Sequence, residues 1–193
     1  IISHRAVALL VKAKGFLKIE SEDVIVNCSS ISFDASTYDV WGTLLNGASL
    51  YLCDRYEVID LTAFKLICEI YKPTLGFLST GLFDKLVSLD VDLFRHFSRL
   101  LVGGEVMSPT SIKQFYSHFS ENYPRLYNIY GPTEATVFTS AYAVTADDLN
   151  LNSIPIGKPI PFTRCYVLDN QKRLCQTNVK GELYIAGDRL AEG

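Results

Sequence analysis

Short apolar runs alternate with helix-spaced segments along the first two thirds of this chain, and that alternation restricts it to few folds. Asp23–Cys28, Ala48–Cys53, Thr74–Leu78, Arg99–Val102 and Arg125–Ile129 are rich in β-favouring residues with almost no polar interruption. Runs of this kind suit strands buried on both faces, as in a parallel sheet. Between them lie helical patterns. One contains Tyr38, Val40, Trp41, Leu44 and Leu45 and stops at Asn46-Gly47; one spans Leu61 to Tyr71; one carries Leu82, Phe83, Leu86 and Val87. A last one opens on Ser108-Pro109, with proline in the first turn, and runs to about Phe119. Ser3 caps an earlier helix on Ala6, Val7, Leu9, Leu10 and Ala13, expected to end near Gly15. The pattern predicts an α/β fold with a mostly parallel sheet flanked by helices. After about residue 136 the helical signals fade. Thr136–Val144, Arg164–Leu168 and Glu182–Ala186 read as strands, with Asp169-Asn170 as a hairpin tip.

A chain of 193 residues with 48% hydrophobic and 20% charged residues can bury a core of ordinary size. Its net charge of −3 offers no electrostatic attraction for nucleic acid or an anionic membrane, so neither is expected as a partner. No apolar run reaches the ~20 residues of a spanning helix, and Ile1–Arg5 does not resemble a secretory leader. A cytoplasmic protein is expected. The five cysteines, Cys28, Cys53, Cys68, Cys165 and Cys175, are scattered and odd in number, which favours buried free thiols over disulfides or a zinc site.

Leu126–Thr136 concentrates the chemistry. A strand runs into Gly131-Pro132, which breaks it, so the turn sits at a strand's carboxyl end, where open α/β sheets bind ligands. Asn128, Tyr130, Thr133 and Glu134 offer an amide, a flat ring, a hydroxyl and a carboxylate, groups suited to a ring edge, a base, a phosphate and a divalent cation. On composition alone a polar loop with a packed tyrosine is preferred. Asp34, at the junction of the first strand and its helix, reads on the same terms as a helix cap. His4 and Arg5 at the first helix start could meet an anion, but a solvated pair is the simpler reading.

Asn128-Ile-Tyr-Gly-Pro-Thr-Glu134 resembles the Asn-x-Tyr-Gly-Pro-Thr-Glu signature of the adenylate-forming, AMP-binding superfamily, in the version found in adenylation domains of nonribosomal peptide synthetases. Phe33-Asp-Ala-Ser36, Leu101-Val-Gly-Gly-Glu105, Ile156-Gly-Lys-Pro159 and Gly181-Glu-Leu-Tyr-Ile-Ala-Gly187 support it in the expected order. The resemblance spans the chain and implies that residues 1–193 are the central part of one adenylation core domain, lacking the phosphate loop and the C-terminal lysine-bearing subdomain. Asp188 and Glu192 depart from the family pattern, where glycine and arginine are common.

The resemblance also implies an activity. An amino-acid carboxylate attacks the α-phosphate of ATP, pyrophosphate leaves, and the aminoacyl group passes to the phosphopantetheine thiol of a peptidyl carrier domain beside neighbouring synthetase domains. Thr133 and Glu134 take the catalytic roles, Thr133 at the α-phosphate and Glu134 as ligand of Mg²⁺. Gly103, Gly104, Glu105, Asn128, Tyr130, Gly131 and Thr133 form the nucleotide set, with Tyr130 stacked on adenine and Asn128 at its edge. Asp34 pairs with the substrate ammonium, which separates this branch from acyl- and aryl-acid ligases of the superfamily. Aligned specificity positions are Asp34, Ala35, Tyr38, Phe77, Leu101, Gly103, Ile129, Val137 and Phe138. Beyond Asp34 this set is apolar and narrowed by three rings, matching a branched aliphatic amino acid, isoleucine first and then leucine or valine. Without the loop and lysine, residues 1–193 alone are expected to be inactive; the alternatives are an acyl- or aryl-acid ligase and a nucleotide-binding scaffold without turnover.

Overall fold

The structure is a computed structural model that describes residues 1–15, 18–119 and 124–192. Seven strands form the main sheet: β1 (Val24–Asn27), β2 (Ser49–Leu52), β3 (Leu75–Ser79), β4 (Arg99–Gly103), β5 (Arg125–Tyr130), β6 (Ser140–Val144) and β7 (Lys158–Pro159). Their spatial order is β2-β1-β3-β4-β5-β6-β7. The first five pair in parallel, and β6 and β7 add antiparallel. β8 (Thr163–Leu168) and β9 (Glu182–Gly187) make a separate antiparallel pair. This is the α/β sheet expected from the alternating runs, with the β-rich tail in place.

Side-chain alternation along each strand divides the core into two layers. Ile25, Leu75, Phe77, Leu101, Tyr127 and Ile129 face α1 (His4–Val11) and α2 (Ala35–Asn46), with Leu10, Val11 and Tyr38 from those helices. On the opposite face, Val26, Leu78, Leu100, Val102 and Leu126 meet a cluster built on Phe64, Phe83, Phe94, Phe97 and Phe115. Those rings come from α4 (Leu61–Tyr71), α5 (Thr80–Asp90), α6 (Pro109–His118) and the link before β4. The chain steps from β1 outward to β2, then returns past β1 to β3. Right-handed crossovers in opposite directions put α2 and α4 on opposite faces and leave a switch point between β1 and β3.

Three sequence-based expectations change. The first helix ends at Val11 rather than near Gly15, although Ser3 caps it by accepting from the Ala6 amide at 3.2 Å. An extra short helix, α3 (Arg55–Ile59), fills the linker before α4; its signal was legible, since Asp54 and Glu57 form a reciprocal capping box. The strand expected over Thr136–Val144 starts only at Ser140. Thr133–Ala135 form a 3-10 turn, and Thr136 and Val137 then take positive φ of 57° and 67°, which breaks the extended path. A β-branched residue there is strained by about 1–3 kcal/mol. Neighbouring contacts hold it: the Thr136 amide donates to the Thr133 carbonyl at 3.0 Å and its hydroxyl to the Arg189 carbonyl. The tip at Asp169 is as expected, with the Asp169 amide donating to the Arg173 carbonyl at 2.9 Å. All five cysteines are free, though only Cys68 is fully buried.

Candidate active site

Two clefts open at the carboxyl edge of the parallel strands, and Asp34 lines both. The first, about 490 Å³, lies over the switch point, between Cys28–Ser30 after β1, Ser79–Leu82 after β3 and Gly103–Glu105 at the end of β4. The second, about 580 Å³, lies between α1 and α2 and reaches Thr133, Thr136 and Val137. Asp34 occupies the position preceding α2, yet its backbone is already helical and its side chain makes no capping bond. Instead its Oδ2 accepts a 2.7 Å hydrogen bond from the Thr133 hydroxyl, across 99 positions of sequence. The carboxylate is half-buried at the rim, more open to water than a pocket-floor acid would be.

Behind Asp34 the remaining apolar positions converge. Ala35, Tyr38, Phe77, Leu101, Ile129, Val137 and Phe138 all belong to one buried cluster. The Phe138 ring sits 5.1 Å from that of Tyr38 and 5.5 Å from that of Phe77, so of the three rings expected to narrow the space Phe138 packs against both others. Val137, at a positive φ of 67°, immediately precedes Phe138. Gly103 completes the set for a steric reason: a Cβ there would lie 2.3 Å from the Ile129 carbonyl oxygen. The close approach is therefore to β5 itself.

The nucleotide set is less uniform. Gly103, Gly104 and Glu105 line the first cleft, and Thr133 lines the second. Tyr130 ends β5 with 38% of its surface exposed, and Glu134 is exposed on the turn beyond it. Gly131 lets the turn fold back on itself; a Cβ there would lie 2.3 Å from the Val137 oxygen and 2.7 Å from the Thr139 nitrogen. Asn128 is placed differently. It is 5% exposed, on the far face of β5, and its amide donates to the Pro155 carbonyl at 2.9 Å and more weakly to Ile154 at 3.4 Å. The structure gives that side chain the task of tying down residues 154–155; like Tyr130, Gly131 and Glu134, it lines neither cleft.

Two residues escaped the sequence reading. Thr80, buried at the start of α5, shares its hydroxyl proton between the Gly103 and Glu105 carbonyls (3.2 and 3.1 Å) and accepts from the Glu105 amide at 3.3 Å. It holds the Gly103–Glu105 loop in shape; its place just after a strand was the available signal. Asp39 is fully buried in α2, where the Asn27 amide donates to Oδ2 at 2.9 Å and Oδ1 has no partner among the described residues. Burial lifts its carboxyl from 3.8 to about 7, against the pull of Asn27. An acid between Tyr38 and Val40 in an apolar helix was the clue. Among the described residues no helix is long and apolar enough to cross a membrane, and no cluster of three His, Cys, Asp or Glu side chains could hold a metal alone.

Comparison with known proteins adds the decisive observation: the family described as AMP-binding enzyme matches residues 1–193. The chain belongs to the AMP-binding enzyme family. A linear gramicidin synthase polypeptide of Brevibacillus parabrevis is 39% identical over 196 residues, covering 100% of this chain and 2% of its own length. Bacitracin synthase 1 of Bacillus licheniformis is 33% identical over 193 residues, covering 100% of this chain and 4% of itself. Among solved structures, holo-PA1221, a nonribosomal peptide synthetase protein containing adenylation and peptidyl carrier (PCP) domains, superposes with a TM-score of 0.91 at 32% identity over 100% of this chain. The N-terminal subdomain of Klebsiella oxytoca NpsA, in complex with 3-hydroxybenzoyl-AMSN, gives 0.87 at 28%. This chain spans 33% and 47% of those two structures. The family thus accounts for the parallel sheet and for the turn at the end of β5.

Proposed function

We propose that the whole protein to which this chain contributes activates an amino acid: it joins the substrate carboxylate to the α-phosphate of ATP, releases pyrophosphate, and passes the aminoacyl group to the phosphopantetheine thiol of a peptidyl carrier domain. One observation carries this reading. Asp34 lines both clefts, with Oδ2 2.7 Å from the Thr133 hydroxyl, and Ala35, Phe77 and Gly103 of the apolar set line the first cleft beside it. An acid set against an apolar wall favours a ligand with a cationic head and a hydrocarbon tail. The cluster offers no second charge, so a branched aliphatic amino acid, isoleucine first, fits it best. Separating isoleucine from leucine or valine rests on ~1–3 kcal/mol per methylene.

In this reading Asp34 receives the ammonium and points the carboxylate at the α-phosphorus. The carboxylate oxygen forms the new P–O bond as the bond to pyrophosphate breaks. Thr133 donates its hydroxyl to a phosphate oxygen, and Tyr130, open on one side, stacks on the base. Glu134 is a single exposed carboxylate one residue beyond Thr133, which suits an ion held by one carboxylate plus substrate phosphates. When bound, Mg²⁺ supplies neutralisation of the phosphate charge.

The test is amino-acid-dependent exchange of pyrophosphate into ATP by the whole protein, run over aliphatic, aromatic and charged amino acids and over carboxylic acids without an amino group. Exchange with isoleucine, leucine or valine is the expected result. A preference for acids lacking the ammonium, or for charged or large aromatic amino acids, would overturn the assignment of Asp34 or of the apolar cluster.

A further inference from the structure

The Asp34–Thr133 hydrogen bond joins the group assigned to the amino acid to the group assigned to the nucleotide. We propose that this contact is a latch which couples the two substrates, so that each binds more tightly once the other is present. The inference rests on the functional reading above and adds to it an energetic link between the sites. Its physical basis is that a threonine hydroxyl has one proton. Thr133 gives that proton to Asp34 Oδ2 at 2.7 Å, and to donate to a phosphate oxygen it must withdraw it. Released, the carboxylate faces an incoming phosphate of like charge, which opposes nucleotide binding.

An ammonium at Asp34 changes both terms. It replaces the hydroxyl as the donor to Oδ2, and it cancels the charge that repels the phosphate. In the other direction, a phosphate that captures the Thr133 hydroxyl leaves Asp34 without its internal donor and raises its demand for an ammonium. The position of Asp34 in both clefts makes this exchange local. Thr133 cannot drift out of reach of Asp34, because the turn that carries it is clasped: the Thr139 amide donates to the Tyr130 carbonyl at 2.7 Å and the Ala135 amide to the Pro132 carbonyl at 3.0 Å. Thr133 is therefore a positioning residue for Asp34 as well as a phosphate donor.

Calorimetric titration of the whole protein with L-isoleucine and with AMP, each alone and with the other saturating, tests this. AMP carries the relevant phosphate and needs no metal. Saturating AMP is expected to tighten isoleucine binding by roughly 5- to 20-fold, and isoleucine to tighten AMP by the same factor, since linkage is reciprocal. In Thr133→Val the factor should fall severalfold, to what cancellation of the Asp34 charge alone supplies, while isoleucine alone binds several-fold more tightly, because no internal donor competes for Asp34. Thr133→Ser should retain the coupling. Coupling that survives undiminished in Thr133→Val would assign the link to direct attraction between the ligands and overturn the latch. Binding of both ligands without coupling would overturn the latch alone. Failure of the wild-type protein to bind either ligand would overturn the latch, and failure of pyrophosphate exchange would separately remove the functional reading.

Discussion

Asp39 should give this protein a stability that falls as pH rises through the neutral range. Its carboxyl lies fully buried in α2, one residue from the Tyr38 ring, with the Asn27 amide as donor to one oxygen and no partner for the other among the described residues. Burial raises the folded-state value to about 7, against 3.8 for an ordinary aspartate. Over that interval the folded state keeps a proton that the unfolded chain has released. Folding therefore weakens with rising pH from about 4 until Asp39 ionises near 7, and the full penalty remains above that. At 1.36 kcal/mol per decade, the gap corresponds to ~4 kcal/mol, of which roughly 2–3 kcal/mol falls between pH 5 and 8. Asp39→Asn removes the titration without removing the shape. Urea denaturation of both proteins at pH 5, 6, 7 and 8 should show the variant gaining on the wild type by about that 2–3 kcal/mol across the series. The constant offset between the curves carries no weight, since an amide finds different partners from an acid. Parallel curves would refute the reasoning and mean that Asp39 is ionised in the fold at pH 5 or reached by water.

Asp23 should act in the opposite direction. Burial, which alone would raise its value, is outweighed by the Glu20 amide, the Thr74 hydroxyl and the Arg99 guanidinium at 2.6 Å, so the carboxyl titrates below 3.8. Its contribution is present above that value and lost as pH falls through the lowered one; Asp23→Asn should cost roughly 2–3 kcal/mol at pH 7 in urea unfolding and flatten the acid limb of the stability curve. Gly131→Ala should destabilise by about 2–4 kcal/mol, because the added carbon meets backbone atoms that cannot turn aside; an unchanged thermal midpoint would show that the 137–139 clasp opens freely. Asp34→Ala in the whole protein should weaken amino-acid binding by roughly 10- to 100-fold, from a charged hydrogen bond of ~1.5–3 kcal/mol at a half-buried rim, and pyrophosphate exchange measured against amino-acid concentration reads it directly.

Much of the architecture was legible because burial on both faces leaves an unmistakable trace in a strand. The runs at β1 to β5 are apolar at successive positions, and their alternation with helical spacing admits little besides a parallel sheet with helices on both sides. Caps were legible for the same kind of reason, since Ser3 and Ser108 act within three residues of themselves. The path after β5 was not. Thr136-Val137-Phe138 is β-favouring by composition, and a contact with Arg189, 53 positions away in sequence, joins the local bond to Thr133 in holding Thr136 where an extended strand would not go. Asn128 shows the same limit from the other side: its residue type suits a base edge, but the side it occupies on β5 commits its amide to residues 154–155.

From its order of residues alone, the chain determined its alternating elements, the turn at Gly131-Pro132 and the types of group gathered there, because these depend on neighbours a few positions apart. Tertiary structure alone decided that Asp34 meets Thr133, that three rings close behind them, and that Asp39 is sealed from water. Those relations join residues tens of positions apart, and their distances follow from how strands are ordered and which face each side chain takes, quantities that no local pattern encodes.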